Sequence, residues 1–214
     1  MILLSIALVA LAAAGVRVVA SRGRLPAFPW ATVVLAAVTA VVSVAGELDA
    51  QLLAALDRNR ELLLDGQWWR IVTPLFVQDG GWGGMIVNII ALLLAGTMAE
   101  LLFSGWVMVA VYFLSGLVSE VAAYTVFPGQ GFAGNSVAIA GLTALCLVTI
   151  TVRERGVTRV IGIAGLACGI ALLVLGDLHG AGFATGLVAG LALLAAHRGR
   201  RPHAPTPRSA DQRG

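Results

Sequence analysis

The chain has 214 residues, 59% hydrophobic and 12% charged, with a net charge of +3 and a mean hydropathy of +0.93. A soluble domain is roughly a quarter charged, so about half the usual charge is present to cover a globular surface. This excludes a soluble globular enzyme, a disordered regulator and a nucleic-acid binder, and predicts an all-α membrane protein, a polytopic helical bundle.

A helix needs ~20 apolar residues to cross the hydrocarbon, where every backbone polar group must be satisfied within the segment. Seven segments qualify, over 2–19, 27–46, 83–103, 106–127, 132–152, 157–176 and 178–196. The first carries Ala12, Ala13 and Ala14, which resemble a signal cleavage site, but no basic residue precedes its apolar run. It therefore reads as an uncleaved span. Arg17, Arg22 and Arg24 lie between the first two spans. The loop 47–82 holds six acidic residues against Arg58, Arg60 and Arg70, and its leucines, Leu52 to Leu64, read as amphipathic and interfacial. Span three contains Asn88 and Glu100, and span four Glu120. Asn135 and Ser136 open span five, which also holds Cys146. Arg153, Arg155 and Arg159 surround the next turn. Cys168 is in span six, and Asp177 and His179 stand at the start of span seven. The two cysteines read as buried thiols rather than a disulfide or zinc site. Residues 198–214, rich in Arg and Pro, read as a disordered basic tail.

Eleven of the fourteen arginines, the last of them Arg198, Arg200, Arg201, Arg208 and Arg213, fall on one side of a seven-span layout. The positive-inside rule makes that side cytoplasmic. The expectation is a multi-pass protein of the cell membrane with its N-terminus outside and its C-terminus in the cytoplasm. Trp30, Trp68, Trp69, Trp82 and Trp106 all stand at or just beyond span ends, where an aromatic belt forms.

Polar residues within spans are costly and are functional candidates by default. The layout puts Asn88, Ser136 and His179 at one depth near the outer surface, and Glu100 at the inner end. Serine needs a base to become nucleophilic, and histidine is suited to that at neutral pH. A helix N-terminal N–H and an Asn amide are both oxyanion donors. Each piece also has a plainer reading. Asn135 and Ser136 suit a helix cap. Gly182, Gly186 and Gly190 suit close helix packing. His179 could be interfacial, Asn88 could bond a carbonyl, and Glu120 could be protonated and packed. His197 and His203 read as solvated.

In combination, these residues resemble the rhomboid family of intramembrane serine proteases, from about Trp69 to Gly190. Trp69-Arg70 with Thr73 resembles the WR motif of the first external loop, and Asn88 stands at the Asn of HxxxN. Gly96 and Glu100 match GxxxE. Gly134-Asn135-Ser136 with Gly141-Leu142 resembles GxSG and its following Gly-Leu, and His179, Gly182 and Gly186 resemble HxxGxxxG. The resemblance implies a six-helix core over 27–197, with 1–26 as an added N-terminal helix and loop. It implies Ser136 as nucleophile and His179 as general base, with Asn88 and the Ser136 N–H as oxyanion donors. The implied partners are a membrane-anchored protein substrate and the lipid bilayer. No metal, cofactor or nucleic acid is implied. Asp177 is two residues from His179, and i,i+2 side chains do not share a helix face, so it is expected to be a poor third triad member. Two departures stand out, Gly84 for the His of HxxxN and Val137 for the Gly after the nucleophile. They keep open a pseudoprotease that binds transmembrane segments without cutting them. A small transporter is a third reading, disfavoured because no internal repeat is visible.

Overall fold

The computed structural model describes residues 2–22, 27–78, 80–127 and 133–199. In chain order its helices are α1 (Ile2–Arg22), α2 (Trp30–Leu48), the short α3 (Ala50–Leu56) and α4 (Arg60–Leu64), α5 (Gly81–Leu102), α6 (Gly105–Thr125), α7 (Ser136–Arg153), α8 (Gly156–Val174) and α9 (Leu178–Gly199). Seven of these, all but α3 and α4, are long and apolar enough to cross a membrane. Each coincides with an expected span to within a few residues. The largest shift is at α7, which starts at Ser136 rather than 132. α9 runs on to Gly199, past the expected start of the tail. The rest of that tail, 200–214, together with Arg24, Pro128 and Gly131, lies outside the described residues.

Contacts at the helix ends sort them onto two faces. Arg17 Nε donates to Thr158 Oγ1 at 3.2 Å, and the Arg153 guanidinium lies 5.7 Å from the centre of the Phe103 ring. The ends of α1, α5 and α7 thus share a face with the start of α8. Glu100, near the end of α5, brings the start of α2 to the same face. Its carboxylate accepts from Thr32 N at 3.0 Å, Thr32 Oγ1 at 2.8 Å and Ala31 N at 3.3 Å. The first N–H groups of α2 have no intrahelical partner, and Pro29 before them supplies no side-chain cap, so a neighbouring helix does. Gly96 makes this approach possible, since a Cβ there would lie 2.7 Å from Thr32 Cγ2.

α7 is the axis of the bundle, with every residue from Val137 to Ile150 buried. Two of its buried hydroxyls are satisfied locally, Thr143 and Thr149 donating to the carbonyls four residues earlier. α9 packs against α7 through glycine: a Cβ on Gly182 would fall on the Val137 carbonyl, and one on Gly186 on the Gly141 carbonyl. Packing is thus the role of these glycines, as their spacing suggested. α1 buries Leu4, Ala7, Leu11, Ala14 and Val18, spaced three and four residues apart, against the core. It runs antiparallel along α8, where a Cβ on Gly165 would meet Ala10 at 3.1 Å. Both cysteines are free, Cys146 fully buried and Cys168 only partly so.

The segment between α2 and α5 is more than an interfacial amphipathic stretch. Asp49 caps α3 through Gln51 N and Leu52 N, and Asn59 caps α4 through Leu62 N. The C-terminal carbonyls of α3 are then gathered by one sequence run. Arg70 donates to the Ala54 and Asp57 carbonyls, Trp69 Nε1 to Ala55 O, and Thr73 Oγ1 to Leu56 O. Arg70 also meets the Asp57 carboxylate at 2.9 Å and is only 2% exposed. Burial pushes the Asp57 carboxyl above its ordinary range, with Arg70 opposing. Beyond Arg70 the chain dives into the bundle, where irregular backbone must find partners. Tyr124 hydroxyl donates to Arg70 O, Tyr112 hydroxyl to Leu75 O, Ser43 hydroxyl to Phe76 O, and Gly134 N to Pro74 O. This delivers Gln78, 2% exposed, to the level at which α5, α7 and α9 begin.

Candidate active site

Three helix starts meet on the face opposite Glu100. Ser136 is the first residue of α7, so its N–H belongs to the set that has no intrahelical acceptor. The turn before it requires Gly134, whose φ of +128° is one that residues with a Cβ rarely adopt. A Cβ there would lie 3.2 Å from Gln78 Oε1, 3.8 Å from Ser136 Oγ and 3.9 Å from Asn88 Nδ2. The side chain that Gly134 lacks therefore leaves space between the serine hydroxyl and the Asn88 amide.

His179 is placed by punctuation in the sequence. Gly176, at φ +69°, ends α8 with two reversed hydrogen bonds, Gly176 N to Leu173 O and Asp177 N to Leu172 O. Asp177 is then the residue before α9, and its Oδ1 accepts from His179 N at 2.9 Å. The same oxygen lies 2.6 Å from His179 Nδ1. His179 Nε2 lies 2.9 Å from Ser136 Oγ. An ionised carboxylate only accepts, so Nδ1 carries the proton and Nε2 turns its lone pair to the serine hydroxyl. Burial pushes the Asp177 carboxyl up, but its interactions with His179, above all the two hydrogen bonds, outweigh this and hold it below the ordinary carboxylate range.

This corrects the expectation for Asp177. The i,i+2 rule holds between residues inside a helix, and Asp177 is outside α9, with extended reach toward its second residue. The cap reading of Asn135 is corrected too: its side chain caps nothing and instead accepts from Gln78 Nε2 at 3.1 Å. Gln78 Oε1 in turn accepts from Asn88 Nδ2 at 2.6 Å. Gln78 thus fixes the plane of the Asn88 amide, whose Nδ2 borders the space beside Gly134.

Ser136, His179, Asn88 and Gly84 all line one cavity of about 460 Å³, with Gly80, Gly83, Val87, Ala133, Gly134, Val137, Asp177, Leu178 and Arg58. Glu100 is elsewhere, twelve residues along α5 from Asn88 or about 18 Å of helix. Val137, 3% exposed, packs with Leu75, Ala123 and Leu178. Glu120 is not packed alone: Arg58 holds it at two points, Nε to Oε2 at 2.7 Å and Nη2 to Oε1 at 2.6 Å. His197 is exposed on the opposite face. Sequence reading set Asp177 aside, although the Gly-Asp pair between two helices was a visible signal, and gave no role to Gln78 or Arg58.

Two comparisons bear on the family of the chain. Residues 65–198 match the Rhomboid domain family. A stretch of 98 residues is 31% identical to "Rhomboid protease GluP" of Bacillus subtilis (strain 168). It covers 45% of this chain and 19% of that protein's length. On the match over 65–198, the chain belongs to the rhomboid family.

Proposed function

We propose that the protein is an intramembrane serine endopeptidase that hydrolyses peptide bonds of membrane-anchored proteins. The observation that carries this reading is the 2.9 Å contact of Ser136 Oγ with His179 Nε2 at the wall of the cavity. His179 takes the serine proton as Oγ attacks the scissile carbonyl, and Asp177 stabilises the imidazolium that forms. The developing oxyanion meets the Ser136 N–H and the second N–H of Asn88. The imidazolium returns its proton to the leaving amine. Water then repeats the sequence on the acyl-enzyme, releasing the second product and restoring the serine. The six spanning helices α2 and α5 to α9 form the working core, with α1 added to it. The arginine-bearing face is cytoplasmic, which puts the N-terminus outside, the C-terminus inside and the cavity near the outer surface of the cell membrane.

Gly84 favours a second reading, a pseudoprotease that binds transmembrane segments, because it supplies no oxyanion donor where the family's motif has histidine. The test is labelling by a fluorophosphonate probe together with cleavage of a transmembrane substrate. The protease reading expects labelling and cleavage in the parent and loss of both in Ser136→Ala, with labelling strongly reduced in His179→Ala. An unlabelled parent that binds but cuts none of several substrates would support the second.

A further inference from the structure

The glycines of the bundle divide into two kinds. At Gly96, Gly141, Gly169, Gly182 and Gly186 a Cβ would fall on a neighbouring helix, so close packing accounts for them. Gly83 and Gly84 differ. Among the described residues a Cβ at either would meet nothing within 4 Å, and neither has a positive φ. A helix is more stable with alanine than with glycine. Neither packing nor backbone conformation therefore explains these two, yet both border the cavity that holds Ser136 and His179.

The rest of the wall says what would fit. Val87, Ala133, Val137 and Leu178 present apolar surface. The charged groups are paired already, Asp177 with His179 and Arg58 with Glu120, and Gln78 takes one N–H of Asn88, the other being the oxyanion donor. A further charge brought here would be desolvated without a partner. The cavity, about 460 Å³, lies in the range of small-ligand pockets, ~300–1,000 Å³. That is more room than an extended peptide backbone needs.

We propose that the space left by Gly83 and Gly84 is a side-chain subsite that takes one large uncharged apolar residue of the substrate, of Leu, Met or Phe size, next to the scissile bond. This rests on the reading of Ser136 as the nucleophile. Gly83 and Gly84 are then specificity-determining positions on α5, and their missing side chains are complemented by the substrate's.

The experiment uses the full chain in lipid and transmembrane substrates that differ only in the residues flanking the mapped cleavage point, Ala, Leu, Phe or Asp in turn. Phosphonofluoridates with a small alkyl or a benzyl group give a second readout at Ser136. In the parent, kcat/KM is expected to favour Leu or Phe over Ala at one flanking position by roughly ten- to hundredfold, with Asp poorest. The benzyl probe is expected to label faster than the small one. Gly83→Leu, with Gly84→Leu as the independent variant, is expected to abolish or reverse both preferences, read as the ratio between substrates and between the two probes. Parent selectivity needs no variant, so misfolding of either would not obscure the answer. Labelling and cleavage with no preference for size would overturn the subsite and leave the protease reading standing. Failure of every probe and substrate would overturn the protease reading, and the subsite with it.

Discussion

Replacing Asp177 by Asn separates two jobs that one carboxylate oxygen performs. Asn retains an acceptor for His179 N, so the cap on α9 survives and stability should change by less than ~1 kcal/mol. What is lost is the charged partner at Nδ1, 2.6 Å away. A hydrogen bond to a charged group is worth about 1.5–3 kcal/mol. The Asp177 side chain is 31% exposed, so solvent screening argues for the lower half of that range. The expected loss, about 1.5–2 kcal/mol, is roughly ten- to thirtyfold in kcat, with KM little changed. The assay is kcat and KM on one transmembrane substrate, beside thermal unfolding of parent and variant. pH supplies a further check. The folded-state carboxyl lies below its ordinary range, so its stabilisation is present above the unfolded value and disappears as pH falls through the folded one. Any stability gap between parent and Asp177→Asn should therefore close on acidification and persist at neutral pH. A variant whose kcat is within twofold of the parent would show that Asp177 is a helix cap alone and that His179 needs no carboxylate.

Three other substitutions probe separate parts of the design. Glu100→Gln turns an acceptor toward solvent or puts an NH₂ against the N–H groups of α2, and should lower stability by about 1–3 kcal/mol while kcat per folded molecule stays within twofold; a stable, inactive variant would contradict this, by thermal unfolding and active-site titration. Arg58→Met or Glu120→Leu alone leaves a buried charge and should cost about 3–5 kcal/mol, whereas the double variant should recover most of it; equal, additive losses in a double-mutant cycle would mean that the pair is not coupled. Asn88→Ala should cost at least the ~2.7–4 kcal/mol typical of a lost oxyanion donor. Gly84→His, into open space, should partly restore kcat on a substrate with small residues at the cleavage point; Asn88→Ala with parental kcat would remove Asn88 from the oxyanion site.

The seven spans were legible because a bilayer demands ~20 apolar residues in a row, a signal that one sequence carries in full. Asn88, Ser136 and His179 were legible because counting spans put them at one depth. The identity of the central helix was not. α7 is the most buried of the spans yet less apolar than α1. Lipid is as apolar as a protein interior, so hydropathy does not distinguish a helix facing lipid from one facing its neighbours. Arg58 and Glu120 are 62 residues apart and meet only through the tertiary fold. Glu120 read by itself is a costly carboxyl with no visible partner. Gln78 follows an irregular stretch without periodicity, and its role exists only once Asn88 and Asn135 stand on either side of it.

The absence of side chains along the α7–α9 seam fixes how accurately the serine and histidine helices are held. With Gly182 against the Val137 carbonyl and Gly186 against the Gly141 carbonyl, the spacing of the two helices is set by main chain on main chain. Main-chain atoms have no rotamers to redistribute when temperature or bilayer thickness changes. The distance between nucleophile and base is then a property of two rigid rods in contact, referenced one turn from the reacting atoms. A single methyl group on Gly182 would act as a wedge on that gauge, displacing His179 from Ser136 without substituting any polar residue of the site.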